Sequence, residues 1–255
     1  MSRPPTALLQ TRSTLRQLVD EAGLFSTPAL VLARPLTPEE AIGTPGRRGF
    51  PISAGNERVI EAVVHGAKGQ AFTDSPREFV GTVGEALELE LTSNGSRAIY
   101  LATLNAILAY LGRVSGTVHC KDDDPEVCAA EIASRLRREH GSPRVGLVGL
   151  NPAIAERLVD EFGADQVRIT DLCPAQVGQV RFGVEVWDGS TRVEDLISES
   201  DVVLMTGTTL QNDTFDQIWA STQRQGKRGI VFGITASGVC ALAGYPRLCP
   251  RARAA

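Results

Sequence analysis

The chain has 255 residues, enough for one large domain or two small ones around a real core. Its formal charge of −4 gives no general affinity for nucleic acid or an anionic membrane, and no apolar run is long enough to span a bilayer. The opening MSRPPTALLQTRSTL lacks the apolar core of a secretory signal, so a cytoplasmic location is expected.

Thr6–Glu21 reads as an amphipathic helix, with Leu8, Leu9, Leu15, Leu18 and Val19 on one side. Ala29–Leu36 is a strand, and Thr37–Phe50, rich in Gly, Pro and Arg without a period, is a loop. Arg58–Val64 is a second strand or short helix, Gly66–Gly69 a turn, Gln70–Thr73 a brief extended piece, and Phe79–Leu89 a helix. Strands and helices without βαβ repetition make this an α+β region. Ser96–Val114 is a helix apolar nearly all the way round, which places it as a buried connector. Its amide, Asn105, either makes an interhelical or helix-to-loop hydrogen bond or touches a ligand.

After Gly116–Cys128 (GTVHCKDDDPEVC) comes a helix from about Pro125 to His140, capped by Asp124. Arg144–Cys173 then reads strand, helix, strand. Val145–Val148 ends on Gly149, Asn151 caps a helix stopped by Gly163, and Asp171 follows the strand Val167–Thr170. That is the layout of a nucleotide-binding crossover, although the third glycine of the fingerprint is missing. Pro174–Gly183 is irregular. Val184–Trp187 is a strand with an Asp188–Gly189 turn, Val193–Ser198 a short helix, Asp201–Met205 a buried strand, Phe215–Gln225 a helix and Gly229–Gly233 the last clear strand. A short helix lies in Ile234–Gly244, and the tail RLCPRARAA is expected to fray. The alternation from Val145 to Gly233 predicts a parallel sheet with helices on both faces.

Three segments can carry chemistry. Thr206, Gly207, Thr208 and Asn212 follow a strand end, where open parallel sheets bind ligands; the alternative is a hydroxyl-rich loop in which Asn212 or Asp213 caps the next helix. Gly149, Asn151 and Asp171 would line the other side of an S-adenosylmethionine or nucleotide site, with Asp171 accepting from ribose hydroxyls. The second segment is His119, Cys120 and Cys128, joined by Cys173 if the loop after the second strand meets it. Imidazole and thiolates suit a soft ion such as zinc or copper(I). The alternative is two partly buried cysteines beside a solvated acidic turn, Asp122–Asp124. The third is Gly66–Asp74, where Lys68 either holds an anion or is a solvated turn residue. Five cysteines, an odd number, argue for reduced thiols rather than a disulfide scaffold. G-x-S-x-G, P-loop and HExxH motifs are absent.

FTDSPREFVGTVGE, the long helix with Leu104, Asn105 and Ala106, SDVVLMTGTTLQNDTFDQI and the closing GITASGVCALAGYPRLCP together resemble the heavy-metal-chelation family, from about residue 10 to residue 250. The resemblance implies an α/β protein. A smaller enolase N-terminal-like α+β domain would occupy residues 1–95, a connecting helix 96–115, and a Rossmann-like parallel-sheet domain 116–255. It implies a site in the cleft between the domains and supplies no catalytic residue. Metal handling there is the leading expectation, for a metal or a small metal-chelating ligand. Thiolates of Cys120 and Cys128, neutral His119 and Cys173 would be the donors. An S-adenosylmethionine- or nucleotide-binding enzyme and a non-catalytic dimeric binding module are the alternatives. A homodimer is expected because symmetric dimers are the commonest oligomers.

Overall fold

The computed structural model describes residues 6–25, 31–47, 50, 52 and 57–254. The first two residues of the Ala29–Leu36 strand, and residues 48–49 of the following loop, lie outside the described residues. Helix α1 (Thr6–Glu21) buries Leu8, Leu15 and Val19, as its apolar stripe requires, while Leu9 stays exposed. Strand β1 (Val31–Leu36) leads to α2 (Pro38–Ile42), a five-residue helix inside the expected loop. Its start is fixed by a capping box in which Thr37 and Glu40 satisfy each other's backbone N–H groups.

Strands β2 (Arg58–Val64) and β3 (Ala67–Thr73) form a hairpin through His65 and Gly66, both at positive φ. The turn is therefore His65–Gly66 rather than Gly66–Gly69, and Lys68 stands within a strand. Phe79–Leu89 is not one helix. Strand β4 (Phe79–Gly81) pairs with β1, and Thr82 caps the short α3 (Val83–Leu87). The four strands form an antiparallel sheet in the order β3-β2-β1-β4.

The long apolar run is α4 (Asn94–Tyr110). One side lies on β2 and β3, where Gly69 lets the strand reach the helix backbone at Ala102 and Ala106. The other side meets helices of the second sheet. α5 (Asp124–His140) starts one residue earlier than expected, and Asp124 is inside it rather than capping it. Then come β5 (Val145–Val148), α6 (Pro152–Phe162), β6 (Val167–Asp171), β7 (Val180–Arg181), β8 (Val184–Asp188) and α7 (Gly189–Glu199). Asp188 and Gly189 do not form a free turn, because Asp188 caps α7 through Ser190. The chain ends with β9 (Val202–Thr206), α8 (Thr208–Gln211), α9 (Phe215–Arg224), β10 (Arg228–Phe232), α10 (Ser237–Ala243) and β11 (Arg247–Leu248).

The second sheet has seven strands in the order β11-β10-β9-β5-β6-β8-β7, parallel except at β7. β5 and β9 share this sheet, as the strand–helix alternation predicts, and are neighbours in it. The α/β expectation with a mostly parallel sheet is met. Its tail does not fray into solvent: β11 pairs with β10, and Val118 bridges to Arg253. No described helix is long and apolar enough to cross a membrane.

Candidate functional site

From β5 the sheet grows one way through β6 and β8, and the other way through β9, β10 and β11. Loops leaving β5 and β9 therefore diverge, which opens a crevice at their carboxyl ends. Gly149 sits there at φ 86 against the Thr206 side chain, where an added Cβ would collide. A cleft of ≈ 1070 Å³ begins at this point and is lined further along by Ile42, Arg47, Phe50, Ile52 and Glu57 and by Pro125, Cys128 and Ile132 of α5. Gly149, Asn151, Asp171, Cys173, Thr206, Gly207, Thr208 and Asn212 line it, as do His119, Cys120 and Cys128. Sequence-distant residues thus share one wall because the parallel sheet brings their strand ends together.

Several of these polar groups serve the fold. Asn151 Oδ1 accepts from Ile154 N–H at the start of α6. Asp171 accepts from Leu150 N–H (2.6 Å) and Cys173 N–H (2.7 Å), so its oxygens brace both loops before any ligand arrives. Thr208 bonds to Thr206 through their hydroxyls, and Asn212 accepts from Thr214. Asn105 is outside the cleft. It is wholly buried in α4 and donates to Gln70 O and Ile234 O, while accepting from Gly238 N–H at 2.7 Å. The helix-to-loop reading of this amide is the right one. Lys68 also lies away from the cleft lining, on β3, with its ammonium 3.3 Å from Glu61.

The histidine and cysteines meet at the α5 end. Gln70 on β3 accepts from the His119 backbone N–H, which fixes the segment before α5. His119 Nδ1 lies 2.5 Å from the Cys120 carbonyl. A carbonyl only accepts, so Nδ1 carries the proton and Nε2 keeps a free lone pair. Burial pushes the imidazole pKa down, which favours the neutral ring. Cys128, in the second turn of α5, has its thiol near enough to those of Cys120 and Cys249 to interact with both. The Cys120 contact, followed by burial, pushes the Cys128 thiol up to about 12, and the Cys128 contact with burial raises Cys249 well above its ordinary value. Cys120, Cys128, Cys240 and Cys249 are free thiols.

Cys249 has no place among the expected donors. It arrives because the tail is pinned: β11 pairs with β10, Arg253 pairs with Asp124, and Arg251 with Glu131. A two-residue strand carries almost no periodicity, and only the count of cysteines hinted at the residue. Cys173 lies on the cleft wall after β6, as its strand position implies. The acidic turn is structural. Asp122 accepts from Thr44 N–H at 3.0 Å and Asp123 from Gly46 N–H at 3.2 Å, while Arg47 reaches Glu126 and Glu156. These bonds hold the segment after α2 over the cleft.

The donor chemistry fits a soft metal ion: three sulfurs and an imidazole. Their present arrangement is not a finished coordination sphere, since among the described residues no three His, Cys, Asp or Glu side chains are grouped as a metal ion would need them.

Residues 133–246 match the family described as "DUF364: Putative heavy-metal chelation". The resemblance read from TGTTLQNDT and its flanks is therefore shown for that stretch. A solved protein of unknown function from the DUF364 family of Pyrococcus horikoshii aligns over 91% of this chain and 80% of its own, with TM-score 0.50 and 15% identity. Another, from Desulfitobacterium hafniense DCB-2, aligns over 86% and 77%, with TM-score 0.47 and 14% identity. At such identities the likeness is one of fold. No curated protein matches the chain.

Proposed function

Starting from that family match, we propose that the protein handles a soft metal ion, zinc or copper(I), at the α5 end of its cleft. The cleft would separate the regions 1–95 and 116–255, with residues 96–115 between them. Cys120, Cys128 and Cys249 are the sulfur donors and His119 Nε2 the nitrogen donor. The observation that carries the reading is the nearness of three thiols, each of Cys120 and Cys249 interacting with Cys128, on the wall that holds a histidine whose Nδ1 is already held by a carbonyl. Such a carbonyl bond is the usual outer support of a ligating imidazole. Metal uptake would have to draw the donors together, since among the described residues they are not grouped as a bound ion needs them. The matched stretch, 133–246, leaves out all four, so their assignment stands on this chain's own geometry and not on the family description.

The Cys128 and Cys249 thiols, both raised above their ordinary values, hold their protons in the metal-free protein. Metal uptake must release them, and binding weakens as pH falls. The test is the metal content of untagged protein purified without chelators, followed by zinc titration against a chromogenic chelator. Wild type should hold one equivalent, and a Cys128→Ser variant should lose it. Wild type that carries no metal and takes none up refutes the proposal, as does a Cys128→Ser/Cys249→Ser variant with unchanged content.

An S-adenosylmethionine or nucleotide ligand is the second reading, favoured by the crevice between Gly149 and Thr206 at the reversal of strand order. It is weakened at Asp171, whose two oxygens already take backbone N–H groups. Titration calorimetry with S-adenosylmethionine and adenine nucleotides tests it, and absence of heat removes it.

A further inference from the structure

The closing segment of the chain lies along the side of α5 that carries Cys128. Val118 and Arg253 exchange backbone hydrogen bonds, Arg251 reaches Glu131, and Arg253 lies 2.8 Å from Asp124. Asp124 stands one turn before Cys128 and Glu131 one turn after it, so both ties fall on the same side of the helix. They hold Cys249 beside Cys128, and the two thiols interact. Access to them differs. Cys120 is 4% exposed and Cys128 8%, and both line the cleft. Cys249 is half-buried and lines two openings. One is the cleft, and the other is a groove of ≈ 620 Å³ between α5 and the tail, where Val127 and Glu131 face Leu248 and Pro250. Cys249 is thus the sulfur that a reagent from outside meets first, and Cys128 is the thiol held next to it.

Among the described residues no three donors are gathered around a common point, whereas a disulfide needs only two sulfurs brought together. We propose that Cys249 and Cys128 are a modification site, a reversible disulfide made by exchange with a small-molecule disulfide that enters the groove. The Cys249 sulfur gives up its proton and attacks one sulfur of the reagent. The reagent's S–S bond breaks, and one half leaves as a thiol. The Cys128 sulfur then attacks Cys249 in the mixed disulfide, and the second half leaves as a thiol. Two protein thiols are oxidised and one disulfide is reduced to two thiols, which take up the two protons. The second step joins groups already held together, which favours it over attack by a thiol from solution. The site shares its thiols with the metal proposal but rests on their nearness and access, not on a bound ion. Where a metal is held, the bond removes two of the three sulfur donors, so oxidation would empty the site and reduction restore it.

The full chain, freed of metal, is incubated without denaturant in excess glutathione disulfide, then alkylated and mapped without reduction. The incubation runs over hours, because a thiol that holds its proton exchanges slowly. Wild type should lose two thiols and yield a peptide joining Cys128 to Cys249. Cys128→Ser should stop at a mixed disulfide on Cys249, Cys249→Ser should leave Cys128 unmodified, and Cys120→Ser should give the wild-type link. The proposal is overturned by an unchanged thiol content, by a link from Cys128 to Cys120 instead, by a mixed disulfide on Cys249 that wild type does not resolve, or by a link that forms only in urea. Zinc titration of the reduced chain separates the two readings. A link in a chain that takes up no zinc keeps this proposal and removes the metal reading, and zinc uptake by a chain that forms no link does the reverse.

Discussion

Two regions of the molecule bury polar groups in opposite ways. At the seam of β3, α4 and the turn before α10, Asn105 is wholly buried and each of its hydrogen-bonding groups has a protein partner. In the cleft, Thr170 is equally buried with Oγ1 unmatched, and the Glu57 carboxylate has no partner among the described residues. Sequence presents Asn105 and Thr170 alike, as polar residues in apolar runs. Their difference teaches that burial of a polar residue does not mark a site; an unmet group singles out a residue only where it also lines a cleft, since the Tyr100 and Thr103 hydroxyls are unmet in the core.

The sharpest way to break this comparison is Asn105→Ala. It strands the Gly238 N–H in the core and takes a donor from Gln70 O and from Ile234 O, the latter keeping Ser237, so stability should fall by about 2–4 kcal/mol in urea unfolding. A loss below about 1 kcal/mol would mean that the seam is not what holds β3 to the second sheet. Gly69→Ala attacks the same seam through shape alone. Its Cβ would run into the α4 backbone, and overpacking of this kind costs about 1–3 kcal/mol in the same assay.

On the cleft side the effects are smaller and carry a pH signature. The Glu57 carboxyl is pushed up to about 7 from an ordinary 4.5, by burial first and by Asp171 and Asp74 next. A raised folded pKa contributes stability that is complete below 4.5 and lost as pH rises through 7. Relative to Glu57→Gln, wild type should therefore lose about 1 kcal/mol between pH 4.5 and 8, an amount already discounted for partial exposure. A flat difference across that range would mean that Glu57 does not feel Asp171 and Asp74. Thr170→Val is the smallest change. It removes a hydroxyl without a partner, so stability should stay within about 0.5 kcal/mol or rise. A large loss would reveal a partner for Oγ1 and erase the contrast with Asn105.

The parallel sheet was legible because its signals are local. Asn151 before Pro152, glycines after β5 and α6, and apolar runs in β5 and β9 each declare an element within a few residues. The antiparallel sheet was less so. Phe79–Leu89 has apolar residues at helical spacing across what is a strand, a capped turn and a short helix. The 66–69 glycines suggested a turn, while Gly69 serves close packing on α4. In the candidate site, the strand-end residues could be read because topology places them. Cys249 could not, because its position depends on a two-residue strand and on Arg251 and Arg253 reaching α5. The acidic turn misled in the other direction: Asp122 and Asp123 look like exposed oxygen donors and are engaged by the backbone of residues 44 and 46.

The central claim is that sulfur from Cys120, Cys128 and Cys249 holds a metal ion with His119. X-ray absorption at the zinc edge of the zinc-loaded full chain tests it most directly. The account predicts sulfur scatterers at about 2.3 Å with a single nitrogen at about 2.0 Å, and loss of sulfur from that shell in Cys249→Ser. A shell made only of nitrogen and oxygen at about 2.0–2.2 Å would contradict it.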